Sequence, residues 1–208
     1  GDTILLCGAC GAGKTSLYQM LRLGSTCEGS VTSMAENEAR FIVEGKAGGK
    51  GGIVARQAHV VDLPGHPRLR AKVDKYATGA RGVVFLVDAV DFTQQRRAVA
   101  EQLLDLLSHP TVQRRRVPVL LACNKSEKIA ASPVDFVRKR LEKEIELLRA
   151  TRGTLQETSG GSVGAPIGRD GEEFQFAHLA RNKVTAAAVS VSDDDLDAIK
   201  DFIIKVVL

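Results

Sequence analysis

One short run constrains this chain more than any other. Gly8-Ala9-Cys10-Gly11-Ala12-Gly13-Lys14-Thr15 has the spacing G-x-x-x-x-G-K-[ST]. It follows an apolar stretch at 3–7 and opens a stretch at 14–23 that carries Leu17, Met20 and Leu21 at helical spacing. A strand that turns through glycines into a helix presents successive backbone N–H groups to one point. The helix N-terminus adds partial positive charge at that same point. Such a loop cradles phosphates: Lys14 reaches the β- and γ-phosphates of a nucleotide, and Thr15 offers its hydroxyl to a magnesium ion. Ser16, next on the helix, completes the set of loop residues assigned to the nucleotide.

The rest of the chain repeats the alternation. Strands are expected at 39–44, 53–62, 82–88, 117–123 and 183–191, and helices at 68–78, 93–107, from Pro133 behind a Ser132 cap, and after a Ser192-Asp193 cap. The Gly-rich run at 45–52 is too short for a crossover, so the second and third strands pair antiparallel. Phe174 and Phe176 alternate as in a short strand. The pattern predicts a three-layer α/β fold, a six-stranded mostly parallel sheet with helices on both faces. At 208 residues the chain reads as a single domain, with a flexible Gly/Ser/Thr insert at about 151–173. With 4% aromatic residues and no Trp, the core is built from Val, Leu, Ile and Ala.

Composition excludes several classes. A hydrophobic share of 44% against 26% charged residues argues for a packed globule. No run approaches the length of a membrane span. The net charge of +4 is mild, and the basic runs at 68–75, 96–97 and 114–116 have no interleaved aromatics, so they read as solvated faces and no sequence-specific nucleic-acid partner is expected. Cys7 and Cys123 lie in apolar runs, which favours reduced, packed thiols. His59, His109 and His178 are too scattered for a metal site. The chain opens at Gly1, directly on a strand, and is expected to be a piece of a longer protein.

Two further motifs follow the loop in order. Asp62-Leu63-Pro64-Gly65 ends the third strand, where Asp62 can hold magnesium beside Thr15 and the Gly65 N–H can turn toward a γ-phosphate. Asn124-Lys125-Ser126-Glu127 follows the strand at 117–123. An acidic Glu127 can accept from guanine N1 and N2, Asn124 can meet the opposite edge, and the Lys125 stem can cover the base. Glu stands where the motif N-K-x-D has Asp, so its extra methylene must fold for the carboxylate to reach.

Loop, D-x-x-G and N-K-x-[DE] in this order resemble the Ras-like small GTPases, with the Arf-like branch the nearest general relative. The runs 61–66 (VDLPGH), 69–70 (LR), 83–88 (VVFLVD), 121–125 (LACNK) and 173–176 (EFQF), with the charged helix near 141–149 and the Gly/Ser insert, resemble the beta subunits of the signal recognition particle receptor. The resemblance implies GTP or GDP with magnesium as cofactors. It implies a GTP-dependent docking of the receptor alpha subunit's N-terminal longin-like domain, in support of co-translational targeting. It implies a position on the cytosolic face of the endoplasmic reticulum membrane through an anchor outside this chain, and leaves room for a ribosome or translocon contact.

By position, Thr32, or Ser33 one residue on, is implied as the switch ligand of magnesium and γ-phosphate. Ser190-Val191 is implied as the loop whose Val191 N–H meets guanine O6. His66 stands where Ras-like enzymes place the water-orienting Gln. A catalytic set of His66, Thr32 and Gly65 gives a slow GTPase. If His66 contacts only a partner, the chain is a non-hydrolysing GTP-dependent module. An Arf-like trafficking GTPase is the remaining alternative.

Overall fold

The computed structural model describes residues 2–25, 37–46, 52–65, 69–159, 167–169 and 171–207. Six strands form one sheet: β1 (Thr3–Gly8), β2 (Asn37–Lys46), β3 (Ile53–Asp62), β4 (Ala80–Asp88), β5 (Val119–Asn124) and β6 (Val184–Ala188), in the order β2-β3-β1-β4-β5-β6. All pairs are parallel except β2 with β3. The expected fold class is therefore observed. The order has a physical consequence. Strands β3 and β4 lie on opposite sides of β1, so the connections diverge there and leave a crevice at the carboxyl ends of the strands, where α/β sheets bind ligands.

Alternation along the central strands divides the core in two. Leu5, Val83, Phe85, Val119 and Leu121 face one side with the helices α2 (Leu69–Ala77), α3 (Phe92–Leu107) and α5 (Val134–Ser159). Ile4, Leu6, Val84, Leu86, Leu120 and Ala122 face the other with α1 (Lys14–Leu23) and α6 (Asp197–Val206). Strands covered on both faces must be apolar throughout, which is why β1, β4 and β5 read as continuous runs. Edge strand β2 alternates instead between exposed positions and inward ones that are partly buried or, at Val43, buried. Cys7 and Cys123 are buried free thiols, and burial pushes both up to about 12. No helix among the described residues is long and apolar enough to cross a membrane.

Four local expectations are corrected. The insert begins later than residue 151, because α5 continues to Ser159. Two turns before its end, Arg152 Nη2 pairs with Asp105 of α3 at 2.7 Å. At the other side of the insert Ile167 is buried, and Gly168 packs against Arg149 and Phe174. Phe174 and Phe176 are not a strand: Phe176 opens a 3₁₀ turn, Phe176–His178. The carboxylates of Glu146 and Glu142, one turn apart on α5, accept the Phe174 and Phe176 backbone N–H groups at 2.8 and 2.9 Å, leaving no need for a strand partner. The two rings pack edge to face at 5.5 Å between centroids.

The third correction concerns the final helix, which starts at Asp197 behind Leu196, so Ser192 and Asp193 belong to a preceding turn. That turn is braced by Ser190, whose hydroxyl accepts the Asp193 N–H at 3.1 Å. Last, a short helix α4 (Pro110–Arg114) was not anticipated. His109 caps it: Nδ1 accepts the Thr111 N–H, which leaves the Nε2 proton to donate to Asp74 of α2 at 2.6 Å. Five residues are too few for a periodic signal, and a lone His in sequence gives no hint of a cap.

Candidate functional site

Strand β1 delivers the loop at 8–13 to the carboxyl edge of the sheet, and α1 leaves from it. Gly13 precedes the helix with φ 93°. A Cβ there would also lie 2.4 Å from Asn124 Nδ2, so glycine is required on both counts. Lys14 is 7% exposed, and its Nζ donates to the Ala9 carbonyl at 2.7 Å. Burial holds its pKa below the ordinary lysine value, and attraction to Asp62 partly offsets that. A cation folded back over its own loop, beside the N–H groups of a helix start, fits a polyphosphate anion.

Asp62 ends β3 beside this point because β3 runs parallel to β1, with Leu6 opposite Asp62. The Thr15 hydroxyl donates to Asp62 Oδ2 at 2.8 Å, and Asn37 Nδ2 donates to the same oxygen at 3.3 Å. The other oxygen, Oδ1, is buried with no hydrogen-bond partner among the described residues. Burial raises the Asp62 pKa, against the lowering effect of the Thr15 and Asn37 hydrogen bonds and of Lys14. An orphaned carboxylate oxygen next to a hydroxyl is a hard-oxygen donor set, which fits magnesium. Gly65 follows two residues after a buried Leu63. A Cβ on Gly65 would meet Cys10 N at 2.6 Å and Ala9 C at 2.8 Å, so only glycine lets this loop close on the phosphate loop.

Strand β5 brings Asn124 to the same edge. Asn124 is 3% exposed and acts as a strut. Its Nδ2 donates to the Ala12 carbonyl at 2.9 Å, and its Oδ1 accepts the Val191 N–H at 3.1 Å. One amide thus ties together the phosphate loop, β5 and the loop after β6, and its second Nδ2 hydrogen is left for an acceptor on a base. The Val191 N–H, implied as the O6 donor, is donated to Asn124 in this structure, and the Ser190 hydroxyl serves its own turn. Lys125 sits at φ 65°, and its ammonium pairs with Asp88 at the end of β4. Both oxygens of Glu127 are buried without a hydrogen bond among the described residues; the ammonium of Lys128 is 3.9 Å from Oε1, an ion-pair distance only. A buried carboxylate with unused acceptors, beside Asn124 and Lys125, fits the paired donors of guanine.

The structure therefore brings together Gly8, Ala9, Cys10, Gly11, Ala12, Gly13, Lys14, Thr15, Ser16, Asp62, Gly65, Asn124, Lys125, Glu127, Ser190 and Val191 at one edge of the sheet. Thr32, Ser33 and His66 lie outside the described residues. Sequence reasoning missed Asn37, the second partner of Asp62, and Asp88, which holds Lys125 while its other oxygen accepts the Val90 N–H at 3.0 Å. Asp88 had a signal: an acid that closes an otherwise apolar strand. Asn37 had none, since its role comes from antiparallel register with Asp62. Among the described residues no His/Cys/Asp/Glu cluster could hold a metal by itself. The Thr15–Asp62 pair is a different kind of site, since magnesium usually keeps waters and takes the remaining ligands from phosphates.

Residues 1–184 match the family model described as "Signal recognition particle receptor beta subunit". The chain is 33% identical over 179 residues to the signal recognition particle receptor subunit beta of Mus musculus, covering 85% of this chain and 64% of that protein. It thus spans slightly less than two thirds of that relative's length. It superposes on "The Structure of the Mammalian SRP Receptor" with a TM-score of 0.82 at 29% identity, over 99% of this chain and 100% of that one. A structure of "SRb-GDP-Mg from Chaetomium thermophilum" gives a TM-score of 0.70 at 25% identity, over 97% of this chain and 96% of that one.

Proposed function

The chain belongs to the signal recognition particle receptor beta subunit family, and from that premise we propose that it is a guanine-nucleotide switch, binding GTP or GDP with magnesium. The observation that carries this reading is a set of buried acceptors without partners: Asp62 Oδ1 beside the Thr15 hydroxyl, and the Glu127 carboxylate beside Asn124 and Lys125. Unsatisfied buried acceptors are costly, and a magnesium nucleotide satisfies both. The related "SRb-GDP-Mg" structure supports the same cofactors. Magnesium supplies charge neutralisation at the phosphates when bound. Lys14 and the loop N–H groups bind the phosphates, Thr15 and Asp62 position the metal, Asn124 and Lys125 frame the base, and Glu127 selects guanine.

In this proposal Gly65 transmits the state. Its backbone lies against Ala9 and Cys10, so a γ-phosphate accepting its N–H draws the loop that leads into α2. The ordered loops then form the surface that docks the N-terminal, longin-like domain of the receptor alpha subunit. On this reading the protein serves co-translational targeting, at the cytosolic face of the endoplasmic reticulum membrane. Hydrolysis is proposed to be slow and to turn on His66. Two measurements test the reading. Capture of the alpha-subunit domain is expected with a GTP analogue and not with GDP, and equal capture with both would sink the switch. Single-turnover hydrolysis with and without that domain then separates a slow GTPase from a module that only holds GTP.

A further inference from the structure

The end of the sheet opposite the phosphate loop carries a second concavity, a groove of about 590 Å³ that the nucleotide reading does not use. That is within the size range of small-molecule sites, roughly 300–1,000 Å³. Six cationic side chains line it: Lys46, Arg81, Arg115, Arg116, Lys183 and Lys205, against the single carboxylate of Asp201. Asp201 is itself engaged, since its Oδ1 accepts the Lys46 backbone N–H at 2.6 Å. Arg115, Arg116, Lys183 and Lys205 make no ion pair with any described carboxylate. Arg116 is held at φ 54°, a conformation disfavoured for a side chain of its size, in the turn that closes α4.

The cations form a rim, and the floor is apolar. Val117 just before β5, Leu120 of β5, and Phe202 and Val206 of α6 line it. Its members come from the amino ends of β4, β5 and β6, the carboxyl end of antiparallel β2, the turn after α4 and the last turns of α6, so the groove and the phosphate loop lie at opposite ends of the sheet. Strand β1 enters the sheet at the groove end, with Thr3 beside Ala80.

We propose that this groove binds the headgroup of an anionic phospholipid presented at a bilayer surface. Charge complementarity selects the phosphate: unpaired Arg and Lys attract anionic lipid from about a Debye length away. The apolar floor selects an amphiphile over a bare polyanion, because a stretch of acyl chain turned out of the bilayer into the groove buries against Val206 and Phe202 while the phosphate stays at the cationic rim. A nucleic acid fits less well. The floor is aliphatic apart from one ring, and single strands need successive aromatic faces to stack on. With the groove on a membrane, the phosphate loop and the carboxyl ends of β1 and β3 lie at the far end of the sheet, away from the bilayer. This inference stands apart from the nucleotide reading, and either can fail alone.

The test is co-sedimentation of the chain with phosphatidylcholine vesicles, plain or enriched in phosphatidylinositol, using R115Q/K183Q in the groove and R138Q/K139Q on α5 as a charge-matched control. Binding to the anionic vesicles is expected, with a loss of about 25-fold for the groove pair at roughly fivefold per cation, and a change under about twofold for the control. An unchanged thermal midpoint and GDP affinity in both variants show that fold and nucleotide site are intact. Equal losses in the two variants would mean net charge alone, and would overturn the site. So would retention on immobilised single-stranded RNA without vesicle binding, or full displacement by soluble glycerophosphoinositol, which lacks acyl chains for the floor.

Discussion

Replacing Glu127 by Gln separates reading the base from holding the fold. Both carboxylate oxygens are buried without a hydrogen bond among the described residues, so removing the charge takes away only the 3.9 Å ion pair with Lys128 and relieves a desolvated anion. The thermal midpoint of the nucleotide-free variant is therefore expected to hold or rise. In the proposed GTP complex the carboxylate accepts two guanine donors. Gln accepts one and turns an N–H₂ toward the other. The loss is that of one to two charge-assisted hydrogen bonds, about 2–4 kcal/mol, which is roughly 30- to 1,000-fold in affinity. ATP binding, which makes no use of these acceptors, is expected to stay as weak as before. Calorimetric titration with GTP, GDP and ATP, with a melting curve of the nucleotide-free protein, measures all of this. A GTP affinity within threefold of the parent, or a midpoint that falls, would refute the assignment, because Glu127 would then be serving the fold.

Other perturbations give distinct outcomes. Asn124→Ala leaves the Ala12 carbonyl and the Val191 N–H unpaired, about 2–6 kcal/mol in all, so the nucleotide-free midpoint should fall by roughly 5–20 °C in scanning calorimetry. For Asp62 the folded pKa is raised above the ordinary 3.8. The folded apo state therefore binds more protons, and this residue's contribution to stability falls as pH rises from 3.8 through the raised value. Magnesium needs the ionised carboxylate, so magnesium affinity of the GDP complex should move the opposite way, and Asp62→Asn should flatten both profiles in pH-dependent melts and titrations. Gly65→Ala places a methyl against Cys10 N and should abolish GTP-dependent capture of the partner domain while GDP affinity, measured by fluorescence titration, drops less than tenfold.

The legible part of this protein was the part set by short-range chemistry. Gly8 to Thr15 declares its own loop, because φ-permissive glycines, a helix start and a Lys-Thr pair have one use in that order. The continuous apolar runs of β1, β4 and β5 declare a sheet covered on both faces, and α1 and β3 were placed at their observed bounds. Elements that depend on a distant partner were not legible. The Phe174–Phe176 segment alternates like a strand, but Glu142 and Glu146 of α5 take its N–H groups first. Helix α5 runs into what composition marks as an insert, and at that boundary Arg152 pairs with a residue distant in sequence, Asp105 of α3.

The site divides the same way. Its residue types were present in the sequence, in motifs whose spacing follows from backbone geometry. Which acceptors would be left empty was a matter of the fold alone. Parallel pairing sets Asp62 beside Leu6 and within reach of Thr15, antiparallel register adds Asn37, and together they leave one carboxylate oxygen buried and unpaired. Asn124 could be read as a base contact from its motif, yet its work as a strut between Ala12 and Val191 requires three segments to meet. The groove at the far end could not be read at all. Lys46, Arg81, the Arg115-Arg116 pair, Lys183 and Lys205 lie far apart along the chain, and only the tertiary fold, with β4, β5 and β6 starting where antiparallel β2 ends, makes them neighbours.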